Sequence, residues 1–141
     1  MAGKKLNRIQ IFTLIIGVFV LLLPLIIGHF NHNKFKKKLM ENSIIVSGKI
    51  TGFDKTYKRA DALNYYFEYN GENYTTYSSS SGKPSDYDNI KLFVINRTFP
   101  VLINKNNPQE YSKLLVVPED FQEYGLQFPD SLKWILKYIK R

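Results

Sequence analysis

Residues 9–27 read IQIFTLIIGVFVLLLPLII, and this apolar run decides the first element of the fold. Gln10 and Thr13 are its only polar side chains, and no charged residue interrupts it. About 20 helical residues cover the roughly 30 Å hydrocarbon core of a bilayer. A soluble helix of this length normally carries a polar face, which this run lacks. We therefore expect a transmembrane helix over residues 9–28.

A cleaved secretory signal would also place an apolar run near the start of the chain. Such signals have an apolar region of about 7–15 residues and a small-residue cleavage site. Here the run is longer, and GHFNHNKFKKK follows without an Ala-x-Ala pattern. We expect an uncleaved anchor with a short basic tail at residues 1–8.

The residues after the run are basic and are predicted to continue it as a juxtamembrane helix over 29–42. Two interpretations of their lysines stay open, contact with anionic headgroups or a solvated flank. The candidate interface residues are Lys34, Lys36, Lys37 and Lys38. Positive charge marks the cytoplasmic side, and the two flanks nearly balance. The short charged tail favours a single-pass protein of the cell membrane with its C-terminal domain outside the cytoplasm.

The net charge of +8 is unevenly distributed. Residues 1–41 carry +6, residues 42–130 carry −2 and residues 131–141 carry +4. A nucleic-acid-binding domain has a basic patch on its folded body. The nearly neutral body therefore argues against a nucleic-acid partner, and the two basic ends point to the lipid bilayer.

Residues 43–117 have the pattern of an antiparallel β domain. The segment 43–53 alternates as a strand, with a bulge or bend expected at Gly48 and Gly52. Leu63 to Tyr77 then reads LNYYFEYNGENYTTY, in which Asn-Gly between two aromatic runs predicts a hairpin with a type I′ turn. Its tyrosines are either a binding surface or a half-buried sheet with hydroxyls in water. The candidate surface residues are Tyr65, Tyr69, Tyr74 and Tyr77.

Three further segments complete the predicted domain. Residues 90–95 form a short strand or a helical turn, and residues 99–103 form a strand. Pro100 lacks an amide proton, so we expect it at a sheet edge or a strand start. Residues 114–117 are the last predicted strand.

Residues 118–141 are predicted to form short helices. The first begins at Pro118 and ends at Gly125. In the second, Leu132, Ile135, Leu136 and Ile139 follow the spacing of one apolar helical face. That face either lies in the membrane interface or packs on the sheet. The residues assigned to the interface are Lys133, Trp134, Lys137, Lys140 and Arg141.

The segment FPVLINKNNPQEYSKLL at residues 99–115 resembles small bacterial membrane-anchored proteins catalogued as a domain of unknown function. In those proteins a strand with an aromatic-Pro-Val start leads to an Asn-Pro turn, a Ser and a short apolar strand. The likeness covers about residues 43–117. It departs where those proteins place Gly with an acidic residue, because this chain has Asn96-Arg97-Thr98, and many of them carry a second span. The resemblance implies a membrane-tethered β domain and no activity. Its matching residues are Phe99, Pro100, Val101, Asn107, Pro108, Ser112, Leu114 and Leu115.

Few residues suit catalysis. The chain has no Cys, which removes thiol chemistry and Cys-based metal sites. Its two histidines, His29 and His32, fall at the membrane boundary, away from the acids of the domain. We expect no enzyme, cofactor or metal site.

The expected fold class is mainly β (α+β overall): an N-terminal transmembrane helix, a small antiparallel sheet or partly open barrel, and short C-terminal helices. The expected function is a non-catalytic interaction or accessory protein of a bacterial envelope, for example immunity-like or an accessory of secretion, with a protein partner. The alternative is a structural membrane-surface protein whose basic C-terminal helix binds lipid.

Overall fold

A computed structural model of the chain describes residues 8–54, 62–79 and 90–139, without the side chains of 8–12, 15 and 79. The expected basic tail lies mostly outside these ranges, and the interface residues Lys140 and Arg141 lie wholly outside them. The chain divides into two compact units, Met1–Lys37 and Lys38–Arg141.

The first element is one long helix, α1, at Arg8–Met40. Its 33 residues extend about 50 Å at 1.5 Å per residue, more than the roughly 30 Å of a bilayer core. Helix α1 is therefore long and apolar enough to cross a membrane; within Ile16–Met40, an 18-residue window has a mean hydropathy of 1.5. The span and the juxtamembrane helix of the prediction are parts of this one helix, which ends two residues before the expected boundary. Asn42, with a φ of 53°, turns the chain into the first strand.

The second unit contains an open, half-barrel antiparallel sheet in the order β3-β2-β1-β4-β5, which confirms the predicted fold class. Because β3 and β5 are its two edges, the sheet does not close into a full barrel. The strands are β1 at Ser43–Asp54, β2 at Ala62–Tyr69, β3 at Glu72–Ser79, β4 at Thr98–Asn104 and β5 at Ser112–Leu114.

The central strand β1 contains the predicted irregularity. Its register with β2 shifts between Ile50 and Gly52. At Gly48, a Cβ atom would collide with a methyl group of Val101 and lie 3.1 Å from the carbonyl oxygen of Tyr66. Glycine at this position therefore allows β1 to lie close against both neighbouring strands.

The β2–β3 hairpin has the predicted turn. Asn70 and Gly71 adopt φ values of 54° and 79°, the positive values that a type I′ turn requires. The turn sets a register in which Phe67 faces Tyr74 and Tyr65 faces Thr76.

Pro100 is the third residue of β4, which is not an edge strand, so it lies neither at a sheet edge nor at the first residue of a strand. It is opposite Ser47 of β1, and its carbonyl oxygen accepts a bond from the Leu115 amide at 2.9 Å. A residue in an antiparallel strand directs its nitrogen and carbonyl to the same side. The nitrogen of Pro100, which carries no proton, therefore faces the β5 side of β4, at a position beyond the end of β5. The hydrogen bonds between β4 and β1 are all kept.

The last predicted strand is placed differently. Strand β5 covers Ser112–Leu114, whereas residues 115–117 have no regular secondary structure although all three are buried. The apolar run that predicted a strand over 114–117 instead covers the core on its way to the next helix.

Three short helices complete the unit. Helix α2 covers residues 90–94, which decides between the strand and the helical turn expected there. Helix α3 is Pro118–Glu123, and Gly125, with a φ of 67°, terminates it as predicted. The last helix, η1 at Asp130–Lys137, is a 3₁₀ helix and not the expected α-helix. Its period of three residues places Leu132 and Ile135 in the core.

The side chain of Asn104 joins the end of α1 to the β4–β5 loop. Its Nδ2 donates to the carbonyl oxygens of Lys38 at 2.6 Å and Glu41 at 2.7 Å. Its Oδ1 accepts bonds from the amides of Asn106 at 2.8 Å and Asn107 at 3.2 Å. One buried amide thus satisfies two carbonyls that a helix end leaves unpaired and two amides of a tight loop.

We expect Asn104→Ala to lower the free energy of unfolding by about 3 kcal/mol, because buried carbonyls and amides lose their partner. Asn104→Asp keeps the acceptor for the loop amides but loses both donors, so its loss is intermediate. The measurement is denaturant unfolding of the full chain in detergent, followed by the fluorescence of Trp134, the single tryptophan. Asn106→Ala serves as the matched control. Equal stability of Asn104→Ala and this control would refute the role of Asn104.

Candidate functional site

The predicted tyrosine surface is divided between the two faces of the sheet. Strand alternation and the β2–β3 register place Tyr65, Tyr69 and Tyr74 on the inner face, which packs on the core, and Tyr77 on the outer face. Tyr65 is fully buried, and its hydroxyl is 3.1 Å from Ser112 Oγ. It is therefore a core residue, and its assignment to a binding surface was wrong.

Tyr74 and Tyr69 are half-buried. The ring of Tyr74 stacks on Phe67 with 5.3 Å between ring centroids, and its hydroxyl donates to Glu72 Oε2 at 2.6 Å. These contacts hold the Tyr74 side chain within the hairpin. Tyr74 is therefore a packing residue at the rim of the core.

The outer face of the hairpin exposes two tyrosines, one of which the sequence reasoning missed. Tyr77 is 66% exposed and Tyr66 is 39% exposed. Tyr66 faces Thr75, and Tyr77 faces Asn64, so the two tyrosines are diagonal neighbours on adjacent strands. The predicted Asn-Gly turn is sufficient to place Tyr66 on the same face as Tyr77, because the turn sets the register of the hairpin.

Strand β3 is an edge of the sheet. The turn determines which of its backbone amide and carbonyl groups do not bond to β2. The residues that flank a two-residue turn, Tyr69 and Glu72, form a hydrogen-bonded pair, and such pairs then alternate along the hairpin. Tyr74 and Thr76 therefore bond to β2. The residues whose amide and carbonyl groups point away from the sheet are Asn73, Thr75 and Tyr77.

One contact in the structure agrees with this assignment. Gln109, in the β4–β5 loop, donates its side-chain amide to the carbonyl oxygen of Thr75 at 3.4 Å. The bond is long, and both groups are exposed. The Thr75 carbonyl thus points outward and accepts a bond from a donor outside β2.

The hairpin carries a negative charge beside this edge. Residues 62–79 include Glu68 and Glu72 and no Lys or Arg. Edge strands are often protected by lysine, proline or a very short length. Strand β3 has eight residues and neither lysine nor proline, so its edge lacks these protective features.

The basic residues assigned to the membrane interface occupy two separate segments. Lys34, Lys36 and Lys37 lie on α1 within the first unit, where Lys36 is half-buried and the other two are exposed. Lys38, in the second unit, pairs with Glu41 at 3.0 Å, and this hydrogen bond raises the pKa of Lys38. Lys133 and Lys137 are exposed on η1.

The apolar face of the C-terminal helix packs on the domain. Leu132 and Ile135 are buried. Trp134 is half-buried, its ring centroid is 6.4 Å from that of Phe99, and the guanidinium of Arg97 lies 4.5 Å from it. Of the two interpretations left open for this face, the structure agrees with packing on the sheet.

A buried polar cluster, absent from the sequence reasoning, lies beneath α3. Asp120 is fully buried and accepts the amides of Val116 and Val117, each at 3.0 Å. Lys113 lies 3.8 Å from its other oxygen. This is the third-position acid of a helix start that reaches back to the preceding backbone. The two amide bonds hold Asp120 to the backbone just before α3, which indicates a structural role.

Two buried tyrosines adjoin this cluster. Burial raises the pKa of Tyr65 to about 12, although the hydrogen bond between its hydroxyl and that of Ser112 opposes the shift. Burial also raises the pKa of Tyr124, and the neighbouring carboxylate of Glu123 adds to the effect. Both hydroxyls are therefore protonated in the folded domain at neutral pH.

No group of three or more metal-binding side chains occurs among residues 8–54, 62–79 and 90–139. His29 lies on α1 and accepts a hydrogen bond from the Asn33 side chain at 2.9 Å. His32 is exposed on the same helix.

No family model, curated protein or solved structure matches the chain. The resemblance at residues 99–115 to membrane-anchored proteins of unknown function stays a prediction. The site must therefore be interpreted from its own chemistry.

We expect the free energy of unfolding to fall between about pH 10 and pH 12, because Tyr65 keeps its proton in the folded state and loses it in the unfolded state. The contribution of Tyr65 is complete below pH 10 and is lost as the pH rises to about 12. A difference of about two units between the folded and unfolded pKa of Tyr65 corresponds to about 2–3 kcal/mol in the free energy of unfolding.

Denaturant unfolding of the full chain in detergent at pH 9 and at pH 11.5 measures this effect. Tyr65→Phe should have a smaller loss between the two values, because the raised pKa of Tyr65 no longer contributes to it. Tyr77→Phe, at an exposed position, should keep the wild-type loss. An identical loss in Tyr65→Phe and wild type would contradict the assignment.

Proposed function

We propose that the chain is a non-catalytic interaction or accessory protein of a bacterial envelope that α1 anchors as a single span. In this proposal the β domain lies outside the cytoplasm and binds another protein. The observation that carries the proposal is the edge of β3, which has no neighbouring strand on its outer side among the described residues. The amide and carbonyl groups of Asn73, Thr75 and Tyr77 point away from the sheet there.

An extended segment of a partner would add to the sheet beside β3. Strand addition gives affinity through backbone hydrogen bonds, and the side chains on either face give selectivity. Thr75 would provide an amide and a carbonyl near the centre of the edge, and the partner would replace the weak bond from Gln109. Tyr77, on β3 itself, would contact the added strand on the outer face, with Tyr66 of β2 on the far side of β3.

The partner segment should carry basic residues. The hairpin presents Glu68 and Glu72 without a compensating cation between residues 62 and 79. Opposite charge across an interface raises the association rate and excludes acidic competitors. The ligand expected at β3 is thus an extended, basic peptide segment of a second protein.

A photo-crosslinking residue in place of Tyr77, in full-length protein within the membrane of producing cells, tests this proposal. We expect one discrete protein adduct that Thr75→Pro removes, because proline lacks the outward amide and its ring obstructs the incoming strand. Thr75→Val keeps the amide and the strand propensity, so the adduct should remain.

Thr75→Pro should fold, since its amide makes no bond to β2 and proline is tolerated at edge strands. Asn73→Pro provides a second, independent block of the same edge. The absence of any adduct, or an adduct that survives both proline variants, would refute binding at β3. A crosslinked peptide that is acidic would refute the expected partner chemistry.

A further inference from the structure

The second unit has an exposed apolar position that neither the core nor the β3 edge explains. Leu92 of α2 is 79% exposed, the largest value among the large hydrophobic side chains of the described residues, including those on the apolar helix α1. Transfer of such a side chain out of water is favourable, so an exposed leucine at the surface of a folded domain is suited to contact with an apolar medium.

Phe93, beside Leu92, connects this position to the C-terminal helix. Its ring stacks on Tyr138 with 4.1 Å between centroids, and it remains 38% exposed. Tyr138 in turn makes an edge contact with Trp134. Leu136 and Ile139, which follow Trp134 along the chain, are half-buried. We use the name α2–η1 surface for Leu92 and Phe93 of α2 together with those residues of 133–139 that are not buried.

The C-terminal segment that Phe93 contacts through Tyr138 is basic. Lys133 and Lys137 are exposed, and residues 131–141 carry four cations and no acid. Asp130, just before them, is an exposed acid and lies 2.7 Å from Lys133. Leucine, aromatic rings and lysines together are typical of segments that lie at the boundary between headgroups and acyl chains.

We propose that the α2–η1 surface docks on the anionic headgroups of a bilayer, with Leu92 inserted among the acyl chains. The lysines would contact lipid phosphates, and the rings of Phe93 and Tyr138 would lie at the level of the headgroups. Leu132 and Ile135 of the last helix play no part, because both are buried in the domain.

The occupant is a lipid surface because the apolar position and the excess of positive charge in residues 131–141 occur together. An anionic bilayer supplies both an apolar medium and a negatively charged surface, and the two are separated by about the length of one side chain. The proposal depends on the membrane anchoring by α1 and is independent of the partner proposed for β3.

The absence of native cysteine allows a single probe at this position. In full-length Leu92→Cys, an environment-sensitive fluorophore on the thiol takes the place of the leucine side chain. The labelled protein is reconstituted in vesicles of phosphatidylcholine alone or with phosphatidylglycerol. We expect brighter, blue-shifted emission only with the anionic lipid, and a loss of the shift at high salt.

Two matched variants complete the design. The double substitution Lys133→Gln and Lys137→Gln should abolish the shift, whereas the same probe at Asn73→Cys, on the β2–β3 hairpin, should not respond to the lipid. Equal emission from Leu92→Cys in both lipids would overturn the proposal, as would a shift that persists without the two lysines. Failure of the protein to float with the vesicles would instead contradict anchoring by α1.

Discussion

The register of the β2–β3 hairpin is the constraint on which the sheet and its open edge both depend. Asn70 and Gly71 accept positive φ values, and this fixes Tyr69 opposite Glu72. Side chains alternate between faces along a strand, so a slip of one residue would expose Tyr65 and bury Tyr66. The same alternation decides which amides of β3 bond to β2 and which point outward. The two-residue turn thus determines both the packing of the core and the groups available to a partner.

A second local contact sets where the domain begins. Asn104 satisfies the carbonyls at the end of α1 and the amides of the β4–β5 loop with a single side chain. Leu39, in the last turn of α1, is fully buried. The last turn of the helix is therefore part of the domain's own packing, and the compact unit starts at Lys38, before the first strand.

The sequence predicts those parts of the fold that depend on local chemistry. The apolar run, the Asn-Gly turn, the irregularity in β1 and the glycine stop of α3 each follow from a few adjacent residues. The predictions that were wrong concern tertiary context. The buried position of Tyr65, the 3₁₀ form of η1 and the early end of β5 depend on neighbours distant in sequence. The buried Asp120 was missed although its partners, the amides of Val116 and Val117, are only four and three residues away.

The candidate site at the β2–β3 hairpin also divides into features set by local sequence and features set by tertiary context. The tyrosines were recognisable from composition. The face of the sheet on which each one lies follows from the hairpin register, which places Tyr66 and Tyr77 opposite to Tyr65. Gln109 has no sequence signal that connects it to Thr75, since 34 residues separate them. Open edges are a property of the whole sheet, and a list of strands does not say which strand is outermost.

The most direct test of the central claim is residue-resolved amide hydrogen exchange of the full chain in detergent. An open β3 edge predicts alternating protection, slow at Tyr74 and Thr76 and fast at Asn73, Thr75 and Tyr77. Equal protection of Thr75, Tyr77, Tyr74 and Thr76 in the free protein would contradict an open edge.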